Sequence, residues 1–184
     1  SSDALVNAPD QDGQTDCSLS LVRLASSTSV ELDAAVWGAA SGLQVLDLTG
    51  VLLWSAGVAR VAAAIYQLPE LHTLALSDVQ LAHAAVGESG GRTADLSGAI
   101  ALGESLQHRF SSPTPVAAIE TLDLSRNALN SVALRATLAC VRGLTSLDIR
   151  QNKLKGRAAA AEVRAVVRKN ELRRLYTAAN GADV

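Results

Sequence analysis

The stretch that decides the fold is IETLDLSRNAL, residues 119–129, together with LTSLDIRQNKL, residues 144–154. Both stretches place apolar residues at positions 1, 4, 6 and 11 of a common frame and asparagine at position 9. Four other segments fit most of this frame, and they begin at Leu19, Leu43, Leu71 and Leu172. Recurrence of this kind predicts repeated structural units that bury their apolar sides only by stacking on their neighbours.

Positions 4 and 6 predict short strands whose apolar side chains point inwards, with the side chain at position 5 on the opposite face. The predicted strands lie near residues 19–24, 43–48, 71–76, 119–124, 144–149 and 172–177. The segments between them have helical periodicity; in residues 156–169 we expect Val163, Val166 and Val167 to form the inward stripe. The sequence therefore predicts an α/β fold with a parallel sheet on one side and helices on the other.

This frame resembles the leucine-rich repeat, L-x-x-L-x-L-x-x-N-x-L, and intervals near 28 residues resemble its ribonuclease-inhibitor-like class. The resemblance covers roughly residues 19–182. It implies a leucine-rich repeat domain over residues 19–184, shaped as a horseshoe arc of about six repeats with the sheet on the concave face and the helices on the convex face. Residues 1–18 are then a polar N-terminal flank.

Asparagine at position 9 predicts a structural ladder, because its amide can pair with backbone groups of a buried turn. Asn127, Asn152 and Asn180 hold this position in the last three segments. In the first three segments it is held by Ser27, Val51 and Val79. We therefore expect less regular turns in the N-terminal half.

The interval of 48 residues before the fourth strand predicts a loop insertion within residues 82–118, where glycine, serine and proline are frequent. It contains Gly-Glu-Ser-Gly-Gly, residues 87–91, one residue different from the sequence around the nucleophile of trypsin-like proteases. A serine protease needs a histidine base and a buried aspartate on a β-barrel framework, and the sequence around His83 and Ser89 predicts none. We interpret the match as coincidence.

The side chains at and beside position 5 are the candidate contacts for a partner. These residues are Gln44, Asp47, His72, Glu120, Asp123, Arg126, Asp148, Arg150, Arg173 and Tyr176. Tyr176 is the expected anchor, because aromatic residues make up only 3% of the chain. The aspartates of this set could form carboxylate pairs for acid–base chemistry or cation binding, but we favour solvated surface residues.

Charge is unevenly distributed although the formal net charge is only -2. Residues 1–100 contain three Lys/Arg and eleven Asp/Glu, whereas residues 142–174 contain ten Lys/Arg and three Asp/Glu. No cysteine–histidine cluster, phosphate-binding loop or apolar run of membrane-spanning length occurs. We therefore expect no catalytic residue, no metal and no cofactor.

The two cysteines, Cys17 and Cys140, lack metal-ligand spacing, and Cys140 lies in an apolar helical segment. A buried free thiol there suggests an intracellular, reducing compartment. The sequence does not identify the organelle.

These features favour a non-catalytic protein–protein interaction module or scaffold, a subunit of a larger assembly, that binds a partner on the concave face or at an open C-terminal edge. One alternative is a GTPase-activating protein resembling the Ran regulator, which uses this repeat class; capture of GTP-loaded small GTPases would support it. A second alternative is nucleic-acid binding through the basic residues 153–174, although aromatic residues for base stacking are scarce there.

Overall fold

The computed structural model describes residues 22–23, 41–82, 84–86, 92–111, 116–139, 141–170, 172–178 and 180. The strands in these residues are β1 Val22–Arg23, β2 Val45–Asp47, β3 Thr73–Ala75, β4 Ala84–Val86, β5 Arg92–Ala94, β6 Thr121–Asp123, β7 Ser146–Asp148 and β8 Arg174–Tyr176. The helices are α1 Trp54–Ile65, α2 Ser97–Ser111, α3 Ser131–Leu138 and α4 Gly156–Lys169.

The main sheet is parallel, and its strands follow one another in chain order. Five strands of three residues, β2, β3, β6, β7 and β8, lie side by side, and β1 pairs with β2 at one edge. The central leucines are in register: Leu46 faces Leu74, which faces Leu122, followed by Leu147 and Leu175. The predicted α/β fold with a parallel sheet is therefore confirmed.

Burial follows the sequence frame. In the repeat that begins at Leu43, the side chains at positions 1, 4 and 6 are fully buried, and the equivalent residues of the next three repeats are also buried. In the last repeat Leu172 and Leu175 are only partly buried. Removal of this leucine row from water is the main source of stability, since a fully buried leucine contributes about 2 kcal/mol.

Each strand is shorter than the six residues expected, and a turn begins after position 6, whose N–H still binds the following strand. The side chain at position 5 of β2, β6 and β7 binds the backbone N–H at position 7, which bends the chain away from the ladder. Helix α4 keeps its expected bounds, but the expectation for Val167 is wrong, because its side chain is exposed. The buried stripe of this helix is Ala159, Val163 and Val166 instead, at spacings of four and three residues.

Helix α2 packs between α1 and α3, and two glycines allow the close approach. A Cβ at Gly103 would lie 2.1 Å from the carbonyl oxygen of Ala136, and a Cβ at Gly98 would lie 2.6 Å from that of Ser55. The Ser55 hydroxyl accepts the N–H of Gly98 at 2.8 Å, which ties the start of α2 to α1.

The interval between β3 and β6 contains more regular structure than expected. The interpretation of the insertion within residues 82–118 as loop is wrong in part, because β4 and β5 pair there as an antiparallel hairpin, with Ala84 opposite Ala94. Frequent glycine predicts a loop, but Gly87, Gly90 and Gly91 fall in the sequence between two short strands. The hairpin accounts for most of the additional length before α2.

Several expectations concern residues outside the described part of the chain. These are the flank 1–18, the helical segment expected between the strands near 19–24 and 43–48, and the positions of Cys17, Ser27, His83, Ser89 and Cys140. Within the described part, none of the helices has the combination of length and apolar character that a membrane span requires.

Candidate interaction face

One surface of the sheet is formed by the side chains on either side of each buried central leucine. We call it the open face, and it consists of Val45, Asp47, Thr73, Ala75, Thr121, Asp123, Ser146, Asp148, Arg174 and Tyr176. All of these side chains except Asp148 are half-buried or exposed. Small and polar residues predominate, so that Tyr176, with 41% of its surface exposed, is the largest apolar group on it.

The structure places the ten expected contact residues on or beside this face. Asp47, Asp123, Asp148 and Tyr176 belong to the open face itself. Four others directly precede a strand: Gln44, His72, Glu120 and Arg173. The remaining two, Arg126 and Arg150, lie in the turn after a strand. Five of these six flanking residues are exposed. The sixth, His72, is half-buried, and its Nδ1 lies 3.1 Å from the Thr73 hydroxyl oxygen.

The three aspartates at position 5 share one structural role. Each carboxylate accepts a hydrogen bond from the backbone N–H two residues later and so closes the turn after its strand. The bonds are Thr49 N to Asp47 Oδ1 at 2.9 Å, Ser125 N to Asp123 Oδ1 at 2.8 Å and Arg150 N to Asp148 Oδ1 at 3.0 Å. Acid–base chemistry, cation binding and simple solvation, the interpretations drawn from the sequence, do not include this turn-closing role.

Asp148 is the clearest departure from expectation, because it is buried beneath Arg150. The Arg150 guanidinium donates from Nε to Asp148 Oδ2 at 2.9 Å and from Nη2 to the same atom at 2.6 Å. This hydrogen bonding raises the pKa of Arg150, with a further contribution from the nearby charge of Asp148. The interpretation of Asp148 as a solvated residue is therefore wrong, since Arg150 covers it and leaves only 9% of its surface exposed.

Arg150 also contacts the aromatic ring of Tyr176. Its guanidinium carbon lies 5.1 Å from the centroid of the Tyr176 ring, within the range of a cation–π contact. Asp148 and Tyr176 are paired in register on β7 and β8, so one strand pair supplies both supports. The result is a fixed guanidinium beside an exposed aromatic ring, with about half of the Arg150 side chain accessible.

Further cations surround this group. Arg126 donates from Nε to the side-chain oxygen of Gln151. Arg173 and Arg174 are exposed, and within the described residues neither forms a salt bridge. The end of the open face at β8 is therefore positively charged.

The asparagines at position 9 connect successive turns. Asn152 Oδ1 accepts the N–H groups of Asn127 at 2.9 Å and Leu129 at 3.0 Å, while its Nδ2 donates to the carbonyls of Leu124 and Ile149, each at 2.9 Å. Asn127 repeats this pattern on the turn before it, with Oδ1 accepting from Val79 and Leu81, and Asn180 accepts the N–H of Asn152 at 2.7 Å. These bonds fix the spacing of the strands beneath the open face.

The turn after β2 lacks this support and is irregular. Its following repeat has Val79 at position 9, which offers no amide. The N–H of Val51 binds Leu48 O at 3.1 Å and the N–H of Leu53 binds Val51 O at 2.8 Å, so both bonds remain within the turn. The loss of regularity agrees with the absence of asparagine in the N-terminal repeats.

Arg109 is a structural residue that the sequence did not reveal. It is 6% exposed, and its guanidinium donates to the carbonyls of Ile65, Leu68 and Leu71 at 2.7 to 2.9 Å and of Ala117 at 2.6 Å. Burial lowers the pKa of this guanidinium. Its acceptors are mostly some 40 residues earlier in the chain, so no local pattern identifies it. Arg109 joins the loop before β3 to the segment before β6.

Asn170 was also missed. Its Oδ1 accepts the N–H of Leu144 at 3.0 Å and its Nδ2 donates to Val166 O at 2.9 Å, which links the end of α4 to the start of the repeat that contains this helix. No other repeat has asparagine at the equivalent place, so no periodic signal exists.

Within the described ranges, no group of three or more His, Cys, Asp or Glu side chains is arranged to hold a metal ion. Comparison with protein-family models and with curated proteins yields no match for this chain.

Proposed function

We propose that this protein is a leucine-rich repeat solenoid of about six units that serves as a non-catalytic protein–protein interaction module or scaffold. On this proposal the open face is concave and receives a partner within a larger assembly. The observation that carries the proposal is the register of Leu46, Leu74, Leu122, Leu147 and Leu175, because one buried row presents the neighbouring side chains of five strands as a continuous surface.

Rigidity supports docking on this face. Before the strands, the carbonyls of Gln44, His72, Glu120 and Thr145 each accept two N–H groups from the next repeat. After the strands, the asparagine side chains at position 9 bind backbone N–H groups of the preceding turn. A surface that is fixed before binding loses little conformational entropy when a partner docks, so more of the contact energy remains as affinity.

The chemistry of the charged residues supports docking rather than catalysis. The position-5 carboxylates already accept backbone hydrogen bonds, and Asp148 is also neutralised by Arg150. Arg150 and Tyr176 are of the residue types that most often dominate interface energetics, and each is fixed by the other. This pair is the proposed anchor.

Cross-linking mass spectrometry on the full-length endogenous protein tests the proposal by identifying its neighbours and the face that they contact. We expect cross-links to a partner at Lys153, which follows the turn after β7, rather than at Lys169, which ends α4. Tyr176→Ala should weaken capture of that partner by about tenfold or more, as expected for an aromatic anchor. Tyr66→Ala is the matched control, because Tyr66 is 45% exposed but lies at the end of α1.

Equal losses from the two tyrosine variants, or cross-links confined to the helices, would contradict the proposal.

Nucleic-acid binding is the second candidate function. It is supported by the exposed cations of α4 and of the segment at β8, which are Arg157, Arg164, Arg168, Lys169, Arg173 and Arg174. Binding to RNA with a steep dependence on salt concentration would favour that candidate.

A further inference from the structure

The outer edge of β8 has the same backbone groups that the inner strands use to bind the strand after them. The first of these groups is the carbonyl at position 2. The carbonyls of Gln44, His72, Glu120 and Thr145 each accept two N–H groups from the following repeat. Arg173 occupies this position in the last repeat, and no described residue donates to its carbonyl.

Two N–H groups complete the pattern. At position 6, the N–H groups of Leu48, Leu76, Leu124 and Ile149 each donate to a carbonyl of the following strand. Thr177 is the equivalent residue of the last repeat, and its N–H has no acceptor among the described residues. At position 9, the N–H of Asn152 binds the Asn180 side chain, whereas the N–H of Asn180 has no such acceptor within the described part.

The apolar row is incomplete at the same place. Leu46, Leu74, Leu122 and Leu147 are each at most 1% exposed, because each has a neighbouring leucine on the following strand. Leu175 ends the row and is only partly buried. One more apolar side chain, at the central position of an added strand, would cover it.

The charges beside this edge select the kind of strand. Arg174 lies on the open face next to the place that position 3 of an added strand would take, and Tyr176 lies next to position 5. Arg150 stacks on Tyr176, but its guanidinium is already paired with Asp148 on β7. Arg173 and Arg174 have no carboxylate partner among the described residues. An acidic side chain at position 3 would therefore complement Arg174 and its neighbour Arg173.

We propose that the β8 edge binds an extended, acidic segment of a partner protein as an additional parallel strand. The segment carries an acidic residue immediately before one apolar residue, and an asparagine or aspartate five residues after the apolar one. Its backbone pairs with Arg173 O and Thr177 N, its apolar side chain covers Leu175, and its later side-chain oxygen accepts the N–H of Asn180. The inference rests on the interaction function proposed above and specifies the partner chemistry.

A nucleic acid satisfies only one part of this site. Phosphates complement the arginines, but they supply neither a regularly spaced backbone N–H for Arg173 O nor an apolar side chain in line with Leu175. The combination of hydrogen-bonding groups, an incomplete leucine row and cations favours a peptide strand.

The test uses the full chain and a fluorescent peptide with the core Ser-Glu-Leu-Glu-Val-Ser-Gly-Asn, followed by fluorescence anisotropy. We expect saturable binding with a dissociation constant below about 1 mM, since the added strand is short. Arg174→Glu should weaken binding by about tenfold, whereas Arg157→Glu, which reverses an exposed charge at the start of α4, should change it by less than about twofold. Binding should also slow hydrogen exchange at the amides of Thr177 and Asn180.

A second peptide keeps the same charge but carries an N-methyl group on the serine and first glutamate of the core, which removes the donors for Arg173 O. We expect this peptide not to bind at about 1 mM. Any of four results would overturn the proposal: no saturation by the first peptide, equal binding of the methylated peptide, equal losses from both charge reversals, or stronger binding of a uridine homopolymer RNA. If the edge peptide fails while Tyr176→Ala still weakens partner capture, the interaction function stands and only the edge assignment falls.

Discussion

The side chain of Asn152 closes the turn of the repeat before its own, with its Oδ1 atom accepting the backbone N–H of Asn127 at 2.9 Å. The same oxygen accepts the N–H of Leu129, and the Nδ2 atom of Asn152 donates to the carbonyls of Leu124 and Ile149, which directly follow the adjacent strands β6 and β7. A single side chain therefore satisfies several buried backbone groups that belong to different repeats, which couples the repeats in addition to their apolar contacts.

Replacement of this residue tests the importance of that coupling. Asn152→Val should lower the free energy of unfolding by about 2 to 4 kcal/mol, because it leaves buried N–H and C=O groups without partners. Urea denaturation measures the change. Asn130→Ala is the control, since Asn130 only caps α3 through the N–H of Ala133 and should cost about 1 kcal/mol. A loss no larger than that of the control would show that the ladder is dispensable.

The irregular turn after β2 permits the opposite experiment. Val79→Asn places an amide where the later repeats have one, next to the N–H groups of Val51 and Leu53. We expect thermal unfolding to show a loss below about 1 kcal/mol or a gain, because new hydrogen bonds offset the burial of the amide. Leu81→Asn, at a buried apolar position of the same repeat, should cost about 3 kcal/mol or more. Similar losses for both variants would contradict this expectation.

The contact between α2 and α3 depends on Gly103. Alanine is the better helix former, but at this position its Cβ would lie 2.1 Å from the Ala136 carbonyl oxygen. Gly103→Ala should therefore destabilise the fold by about 2 to 4 kcal/mol despite a propensity gain of about 1 kcal/mol. Glu104→Ala, at the exposed neighbouring residue, should have little effect in the same denaturation experiment. A stabilised Gly103→Ala protein would mean that the helices separate without cost.

Arg109 provides a test of a buried cation that is held by carbonyl groups. Arg109→Lys keeps the charge but not the planar fork that reaches Ile65, Leu68, Leu71 and Ala117, so we expect a loss of about 2 to 3 kcal/mol. Denaturation with urea measures it. Arg135→Lys is the matched control, because its ion pair with Glu162 is at the surface and should contribute little to stability. Equal behaviour of the two lysine variants would argue against the role given to Arg109.

Asp95, which precedes α2, should make the stability of the fold depend on pH. The backbone N–H and then the hydroxyl of Ser97 lower the pKa of Asp95 below its ordinary value of 3.8, since both stabilise the charged carboxylate. Its contribution is therefore present above pH 3.8 and is lost as the pH falls through the lower folded-state pKa. Asp95→Asn should cost about 0.5 kcal/mol at pH 7, because solvent screens this exposed carboxylate, and the cost should disappear once the aspartate is protonated. A pH-independent difference in melting temperature would show that charge has no part in the effect.

The sequence predicted the elements that depend on periodic burial. The leucine frame placed Leu46, Leu74, Leu122 and Leu147 in one row, and the structure pairs them in register. Asparagine at position 9 also pointed to its hydrogen-bonding role, because the same residue recurs where the same buried turn recurs. The hairpin of β4 and β5 was not predicted, since its glycines resemble those of an unstructured loop.

The amino-acid sequence by itself determined which leucines of the repeat frame enter the core, because a fixed spacing of apolar residues can be buried only when the repeats stack. Only the tertiary structure decided how the polar residues are used. Arg150 covers Asp148 and stacks on Tyr176, and Arg109 finds its carbonyls across the fold, because these partners come together only when separate repeats pack. The spacing of apolar residues sets which side chains are buried within each repeat. Hydrogen bonds and charge pairs depend instead on distances between repeats, and these distances exist only once the repeats are stacked.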